Sequence, residues 1–276
     1  MSRLSEFFPT LGIIGAGNMA GALLRGTVGR GELPPDHVWA CDKVDGKLTE
    51  LKTELGICTS GDPLKVVASV RNLVLAVKPQ DMLALVDQIT RVLTPDHLVI
   101  SIAAGLRLSK LAGHVPAGVR LIRVMPNTPA LVGEGAAALA GGPNATIRDM
   151  EATRTLLESI GRAVEIDESL MDAVTAVSGS GPAYVFRFME IMCEAGEQMG
   201  LPADVAHSLV IQTVLGAARL AEESGEACSE LRKRVTSPGG TTEEALTIFR
   251  TRDLADVIKS GMYRARDRSV ELAGDD

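Results

Sequence analysis

The feature that most limits the possible folds lies near the amino end, where an apolar tetrapeptide runs into a glycine-rich turn: LGIIGAGNMAGALLRG, residues 11–26. LGII is a continuous apolar run, the pattern of a parallel strand buried on both faces rather than the alternation of a half-exposed one. Gly15, Gly17 and Ala20 follow it in the spacing G-x-G-x-x-A, at the start of a helix-forming stretch. A tight strand-to-helix turn needs small residues whatever it binds, so the motif gains its weight from this context. Gly15 permits the turn, Gly17 lets a pyrophosphate approach the backbone, and Ala20 allows close helix–strand packing. The cradle predicted on this basis comprises Gly15, Ala16, Gly17, Asn18 and Met19, with the positive end of the helix facing the phosphates.

The same grammar continues. HVWAC (37–41), NLVLAV (72–77), HLVISIA (97–103) and VRLIRV (119–124) read as further strands, with helices expected at 19–29, 46–55 and 80–92. Two more strands, near 135–140 and 162–166, flank a helix over 146–160. Such βαβ alternation predicts an α/β domain with a Rossmann-type doubly wound parallel sheet, assigned to residues 1–166. Beyond Ile166 the strand signals stop. Helix-length segments follow at 182–199, 202–223 and 229–235, then from 242 and from 254 onward. Pro182 and Pro202 stand early in their helices, and Gly200 and Gly225 just past the ends, as helix punctuation requires. Residues 167–276 are therefore expected to form an all-helical domain.

In open α/β sheets, ligands bind beyond the carboxyl ends of the strands. Asp42 at one such end would accept hydrogen bonds from the ribose of NADH and repel the 2′-phosphate of NADPH, whereas the adjacent Lys43 would do the opposite. The pair leaves NADPH and NADH both open. AVKP places Val77, Lys78 and Pro79 at the same edge; SIAAG places Ala103 and Ala104 there, small enough to admit a flat nicotinamide. RVMPNTPA adds a rigid polar loop around Asn127.

Hydrophobic residues make up 46% of the 276 and aromatics only 3%, so the core must be built of Ala, Val, Leu and Ile. The net charge of −7 argues against nucleic acid or an anionic membrane as the main partner. No apolar run is long enough to span a bilayer. The four cysteines show no CxxC spacing and the four histidines no metal-binding pair, which points to no metal and a reduced, cytoplasmic setting. The opening residues lack the pattern of a signal peptide.

One stretch interrupts the helical half: VTSPGGTTEEAL, residues 235–246. Ser237-Pro238-Gly239-Gly240 cannot comfortably continue a helix. Thr241 stands three residues before Glu244, the spacing of a capping box, so a helix is expected to start at Thr242. Gly239 and Gly240 would expose amides just before that start. Composition fits two readings equally, a well-capped turn and an anion seat.

Taken in order, GAGNMA, AVKP, SIAAG, RVMPNTPA, AVSGSGPAYVF and VTSPGGTTEEAL resemble the pyrroline-5-carboxylate reductases, over roughly residues 11–272. LRKRVTSPGGTTEEAL is the most specific element. The resemblance implies NAD(P)H-dependent reduction of Δ1-pyrroline-5-carboxylate to L-proline, the last step of proline synthesis, without a metal. It implies that Ser237, Gly240 and Thr241 hold the substrate carboxylate. Thr242 would orient or relay the proton at the imine nitrogen, as the catalytic residue. It further implies a homodimer built by the helical domain, which can assemble further, with the substrate loop completed near a neighbouring subunit. Some relatives carry an acidic residue a dozen positions before the signature serine; here that position is Gly225, with Glu223 and Glu226 nearby.

The β-hydroxyacid dehydrogenases, a related imine reductase and a non-catalytic nucleotide sensor are the rival expectations. The first use a lysine on the interdomain helix, and VSGSGPAYVFRFMEIMCEAGEQMG (177–200) contains none. The intact SPGGTT loop argues against the last.

Overall fold

Eight short strands form a single sheet in the order β3-β2-β1-β4-β5-β6-β7-β8. They are β1 (Leu11–Ile14), β2 (Val38–Cys41), β3 (Cys58–Ser60), β4 (Asn72–Leu75), β5 (Leu98–Ser101), β6 (Arg120–Met125), β7 (Gly135–Gly141) and β8 (Gly161–Glu165). The computed structural model describes residues 2–274. All strand pairs are parallel except β6 with β7. That exception departs from the all-parallel expectation, and chain length explains it. Only residues 126–134, with one 3-10 turn at Thr128–Val132, join the two strands. A parallel crossover needs a dozen or more residues, so the chain turns back instead. Strand β3, only three residues long with all of them half-buried, was not among the expected strands. Its sequence CTS carries no apolar run to mark it.

The continuous apolar runs are explained by burial on both faces. Leu11 and Ile13 belong to one core layer, with Leu23 and Leu24 from the helix Asn18–Thr27 and Leu156 and Leu157 from Ile147–Glu158. Ile14 faces the other layer, with Val66, Val67, Met82 and Val86 from the helices Pro63–Ser69 and Pro79–Ile89. Gly12 lies under that second layer, where an added Cβ would sit 2.9 Å from both Val66 and Val70. Each of these large side chains contributes about 1.5–3 kcal/mol by leaving water.

The chain divides into two compact units, Met1–Ser180 with Ala265–Asp276, and Gly181–Arg264. Residues 167–180 thus pack with the sheet, although the expected boundary lay at Asp167. The reasons are apolar and polar: Met171 is fully buried in the second core layer, with Val174 packed against it. Arg123 on β6 is only 3% exposed, and its guanidinium reaches Glu168 at 3.0 Å; Glu168 also accepts the Leu108 N–H at 2.7 Å. Losing Glu168 would leave a buried charge unpaired, which is why the chain cannot be cut before it without penalty. The last turns of the helix Leu254–Ala273 return to this unit: buried Ser269 donates to Asp172 at 2.6 Å.

The second unit contains the helices Gly181–Gln198, Ala203–Ser224, Cys228–Arg234 and Thr241–Thr251. Gly200 and Gly225, at φ +98° and +64°, end the first two, as their sequence positions suggested. In Gly181–Gln198 the only buried residue is Gly196, while Val185, Phe188 and Ile191 are exposed and Phe186 is 58% so. So many large apolar side chains left exposed on one helix mark it as an interaction surface.

Candidate active site

The glycine turn is built as the spacing demands. Gly15 sits at φ +102°, and its N–H donates to the Cys41 carbonyl at 2.7 Å. An added Cβ there would meet the Ala76 carbonyl oxygen at 2.6 Å. Gly17 is the N-cap of the helix Asn18–Thr27, without a side-chain cap, and a Cβ on it would touch nothing within 4 Å. The first-turn amides of that helix have no intrahelical acceptor, and the backbone opens onto free space, which is what a pyrophosphate needs. A cleft of about 580 Å³ adjoins it, lined by Gly15, Gly17, Asp42, Lys43, Lys47, Val77 and Lys78, among others. The residues present therefore fit a dinucleotide.

Asp42 does more than face that cleft. One carboxylate oxygen accepts the Ala16 N–H at 2.7 Å, the other the Val44 N–H at 2.9 Å, and the Lys47 ammonium lies 3.5 Å away. Burial pushes its carboxyl up, but the two amide hydrogen bonds and the Lys47 charge outweigh this, so its pKa lies below the ordinary value. Asp42 is thus an anion that shapes the cradle as well as lining the cleft. Lys47, five residues on, was not singled out from sequence, because nothing in the spacing shows it folding back. Cys41 beside Asp42 is no nucleophile: burial first, then Asp42 and Asp62, push its thiol up to about 11.

Asp42→Ser is expected to act twice. Affinity for both cofactors should fall, because Ala16 loses its acceptor, and the ratio of kcat/KM values should move toward NADPH, because a fixed negative charge is gone. Steady-state kinetics with both cofactors separate the two effects. An unmoved ratio would mean that the 2′ position is read elsewhere.

At the other strand ends, Lys78 is the exposed N-cap of the helix Pro79–Ile89, with Pro79 at its first position and Val77 half-buried before it. Ala103 is buried, whereas Ala104 is exposed. Gly105 at φ +71° turns the chain beneath Leu272 and Ala273. Asn127 departs from expectation. Its side chain is 9% exposed and already engaged: Oδ1 accepts the Ala136 N–H at 2.8 Å, and Nδ2 donates to the Ser178 carbonyl at 3.0 Å. The structure thus gives this side chain two bonds inside the protein, which the sequence did not suggest.

The loop of the second unit differs from the expected capping box. The helix begins at Thr241, with Gly240 as its N-cap and no side-chain cap. Glu243 rather than Glu244 is therefore the third helical residue, and its carboxylate reaches back to accept the Gly239 N–H at 2.6 Å. Gly240 donates to the Ser237 carbonyl at 3.0 Å, closing a turn over 237–240. Both glycine amides expected to bind an anion are thus occupied. The glycines serve shape: Gly239 is at φ +68°, and a Cβ on Gly240 would lie 3.0 Å from the Ser237 oxygen. The amides of Thr241 and Thr242 in the first helical turn remain without intrahelical acceptors, next to the hydroxyls of Ser237, Thr241 and Thr242.

Gly225 explains the missing acid. It terminates the helix Ala203–Ser224 in a left-handed conformation, which a glutamate would adopt only with strain. Glu226 is held by Arg234. Among the described residues, no group of three or more His, Cys, Asp or Glu side chains could hold a metal.

Two family models match the chain. Residues 168–272 match the model described as pyrroline-5-carboxylate reductase dimerisation, and residues 10–105 the one described as NADP oxidoreductase, coenzyme F420-dependent. The pyrroline-5-carboxylate reductase of Methanosarcina acetivorans is 40% identical over 262 residues, covering 95% of this chain and 97% of that protein. The one from Pseudomonas aeruginosa is 39% identical over 96% and 97%. Among solved structures, a pyrroline-5-carboxylate reductase from Coxiella burnetii superposes with a TM-score of 0.91 at 33% identity, over 95% of this chain and 98% of that one. The Plasmodium falciparum pyrroline carboxylate reductase with NADP bound gives 0.85 at 28% identity, over 96% and 98%.

Proposed function

The chain belongs to the pyrroline-5-carboxylate reductase family, and from that premise we infer that it reduces Δ1-pyrroline-5-carboxylate to L-proline with NADPH or NADH, the last step of proline biosynthesis. The observation that carries this is correspondence over nearly the full length of both chains, with the glycine cradle inside one matched family model and the SPGGTT loop inside the other. The protein is a homo-oligomeric oxidoreductase acting on a small molecule.

The division of labour among its residues is our proposal. Gly15, Ala16, Gly17, Asn18 and Met19 form the phosphate cradle, with Asp42 fixing Ala16 and facing the adenosine ribose. Val77, Lys78 and Pro79 line the same edge, and Ala103 and Ala104 leave room for the nicotinamide. When bound, the reduced nicotinamide supplies the hydride for the imine carbon. The hydroxyls of Ser237 and Thr241 and the free amides of the first helical turn hold the substrate carboxylate, with the helix dipole adding to the attraction. Gly239 and Gly240 keep that loop in shape. Thr242 places its hydroxyl at the ring nitrogen and keeps a proton there, since only the protonated imine is a good hydride acceptor. A threonine hydroxyl is too weak an acid to be the proton's ultimate source, so it acts as donor in a relay.

The helical unit pairs with a second copy to form a homodimer, supported by its exposed phenylalanines. No helix among the described residues is long and apolar enough to cross a membrane. That, the acidic net charge and the free cysteines support a cytoplasmic enzyme with no nucleic-acid partner.

The test is direct: the purified protein, racemic pyrroline-5-carboxylate and NADPH or NADH, with proline quantified by mass spectrometry. Stoichiometric cofactor oxidation and proline formation are expected. No proline with either cofactor would overturn the assignment.

A further inference from the structure

Two motifs singled out in the sequence, RVMPNTPA and AVSGSGPAYVF, lie some fifty residues apart, and one buried amide joins them. Residues Thr175–Gly179 form a π turn, in which the Ser180 N–H donates to the Thr175 carbonyl at 2.8 Å. Single π turns inside helices recur at functional positions. Pro182 stands four residues beyond Ser178 and has no N–H, so the Ser178 carbonyl is deprived of its ordinary helical donor. Asn127 replaces it, donating from Nδ2 at 3.0 Å. Its Oδ1 meanwhile accepts the Ala136 N–H, prolonging the contact between β6 and β7 beyond their last ladder pairs. Met125, at the end of β6, packs so closely under the π turn that a Cβ on Gly179 would lie 2.5 Å from its methyl group.

This places the π turn on the carboxyl end of β6. The neighbouring strand is β5, whose carboxyl end leads into Ala103 and Ala104. We propose that Asn127 is a positioning residue: by donating to the Ser178 carbonyl, to which Pro182 has no N–H to give, it fixes the π turn at the strand edge where the nicotinamide reacts. Asn127 touches neither reactant. It rests on the assignment of that edge to the cofactor, as given above. A half-buried carbonyl that loses this donor would turn toward water or toward another amide, and the rim would shift with it. The adenosine end of the cleft, at Gly15 and Asp42, is built from other strands and should not notice.

Asn127→Asp tests this, because it keeps an acceptor for Ala136 and sets a carboxylate against the Ser178 carbonyl. Turnover should fall by about 10- to 100-fold, the effect of a misplacement near 1 Å. NADPH affinity, measured by fluorescence titration, should stay close to wild type, because the adenosine end rests on β1 and β2. With 4-deuterated NADPH the isotope effect on kcat should rise, since hydride transfer becomes slower relative to product release. A merely structural loss would lower the melting temperature and leave the isotope effect where it was. The decisive arm is the double variant Asn127→Asp with Pro182→Ala, which returns an N–H to the helix for Ser178. It should recover most of the lost turnover. If the single variant is insoluble, recovery of soluble, active double variant supports the proposal, and continued insolubility overturns it. Turnover unchanged in Asn127→Asp, or lost and not recovered by Pro182→Ala, also overturns it. A wild-type protein that makes no proline would instead refute the enzymatic assignment itself.

Discussion

Thr242→Val should lower turnover by about 10²–10⁴-fold, the usual contribution of one positioned proton donor. The substitution keeps the β-branched shape and removes only the hydroxyl. Gly240, not a threonine, is the N-cap of the helix Thr241–Thr251, so neither Thr241 nor Thr242 supplies a side-chain cap to lose. The melting temperature of Thr242→Val should therefore stay close to wild type, well inside the shift expected from about 1 kcal/mol for a lost cap. NADPH affinity should not change, because the cradle belongs to the other ligand. Thr241→Val should differ in kinetics rather than stability: KM for the pyrroline rises while kcat is largely kept, since its proposed partner is the carboxylate. Steady-state kinetics and melting curves on both variants decide. Should Thr242→Val melt early with its kcat per folded molecule intact, the residue is structural and has no role at the imine.

Gly15→Ala and Gly17→Ala should separate fold from binding within one motif. At Gly15 the added methyl meets the Ala76 carbonyl oxygen at 2.6 Å, and φ is +102°. The left-handed conformation costs a non-glycine residue about 1–2 kcal/mol, and forced overpacking about 1–3 more. The strand end cannot simply retreat, because the Ala76 N–H is bonded to the Ile14 carbonyl at 2.7 Å. Gly15→Ala should thus lose several degrees of melting temperature and bind cofactor at least about tenfold more weakly, as 1.4 kcal/mol of lost binding energy requires. Gly17 is at φ −83° with nothing within 4 Å of a built Cβ, so Gly17→Ala should melt like wild type. Its cofactor affinity should fall all the same, because the methyl occupies the space a phosphate needs. Wild-type affinity in Gly17→Ala would show that no phosphate approaches there.

Both contrasts mark the border between what sequence and structure decide. The strand–glycine–helix unit was legible because local chemistry over ten residues determines it. A buried parallel strand must be continuously apolar, a tight turn needs glycine, and a helix N-terminus offers amides. The two-part plan was legible for the same reason, since strand runs cease after Ile166 and helix punctuation takes over. The register of the helix after SPGG was not. Capping by Thr241 and capping by Gly240 differ by one residue, and the Glu243 carboxylate on the Gly239 amide decides between them. Sequence spacing ranks such options by propensities worth tenths of a kcal/mol, less than one charged hydrogen bond. The reversal between β6 and β7 follows from a connection too short to cross over, which the expected strand bounds at 124 and 135 already implied and the βαβ pattern obscured.

The remaining features are long-range. Asp42 on the Ala16 amide, Glu168 under Arg123 and Asn127 on the Ser178 carbonyl each join residues 26 to 51 positions apart. Nothing in local composition specifies such a partner, because a buried polar group needs a hydrogen bond without dictating which segment supplies it. Sequence by itself determined which elements form, in what order, and where phosphate and carboxylate chemistry could sit. The tertiary structure alone decided which polar side chains line the cleft and which, like Asn127, bond within the protein.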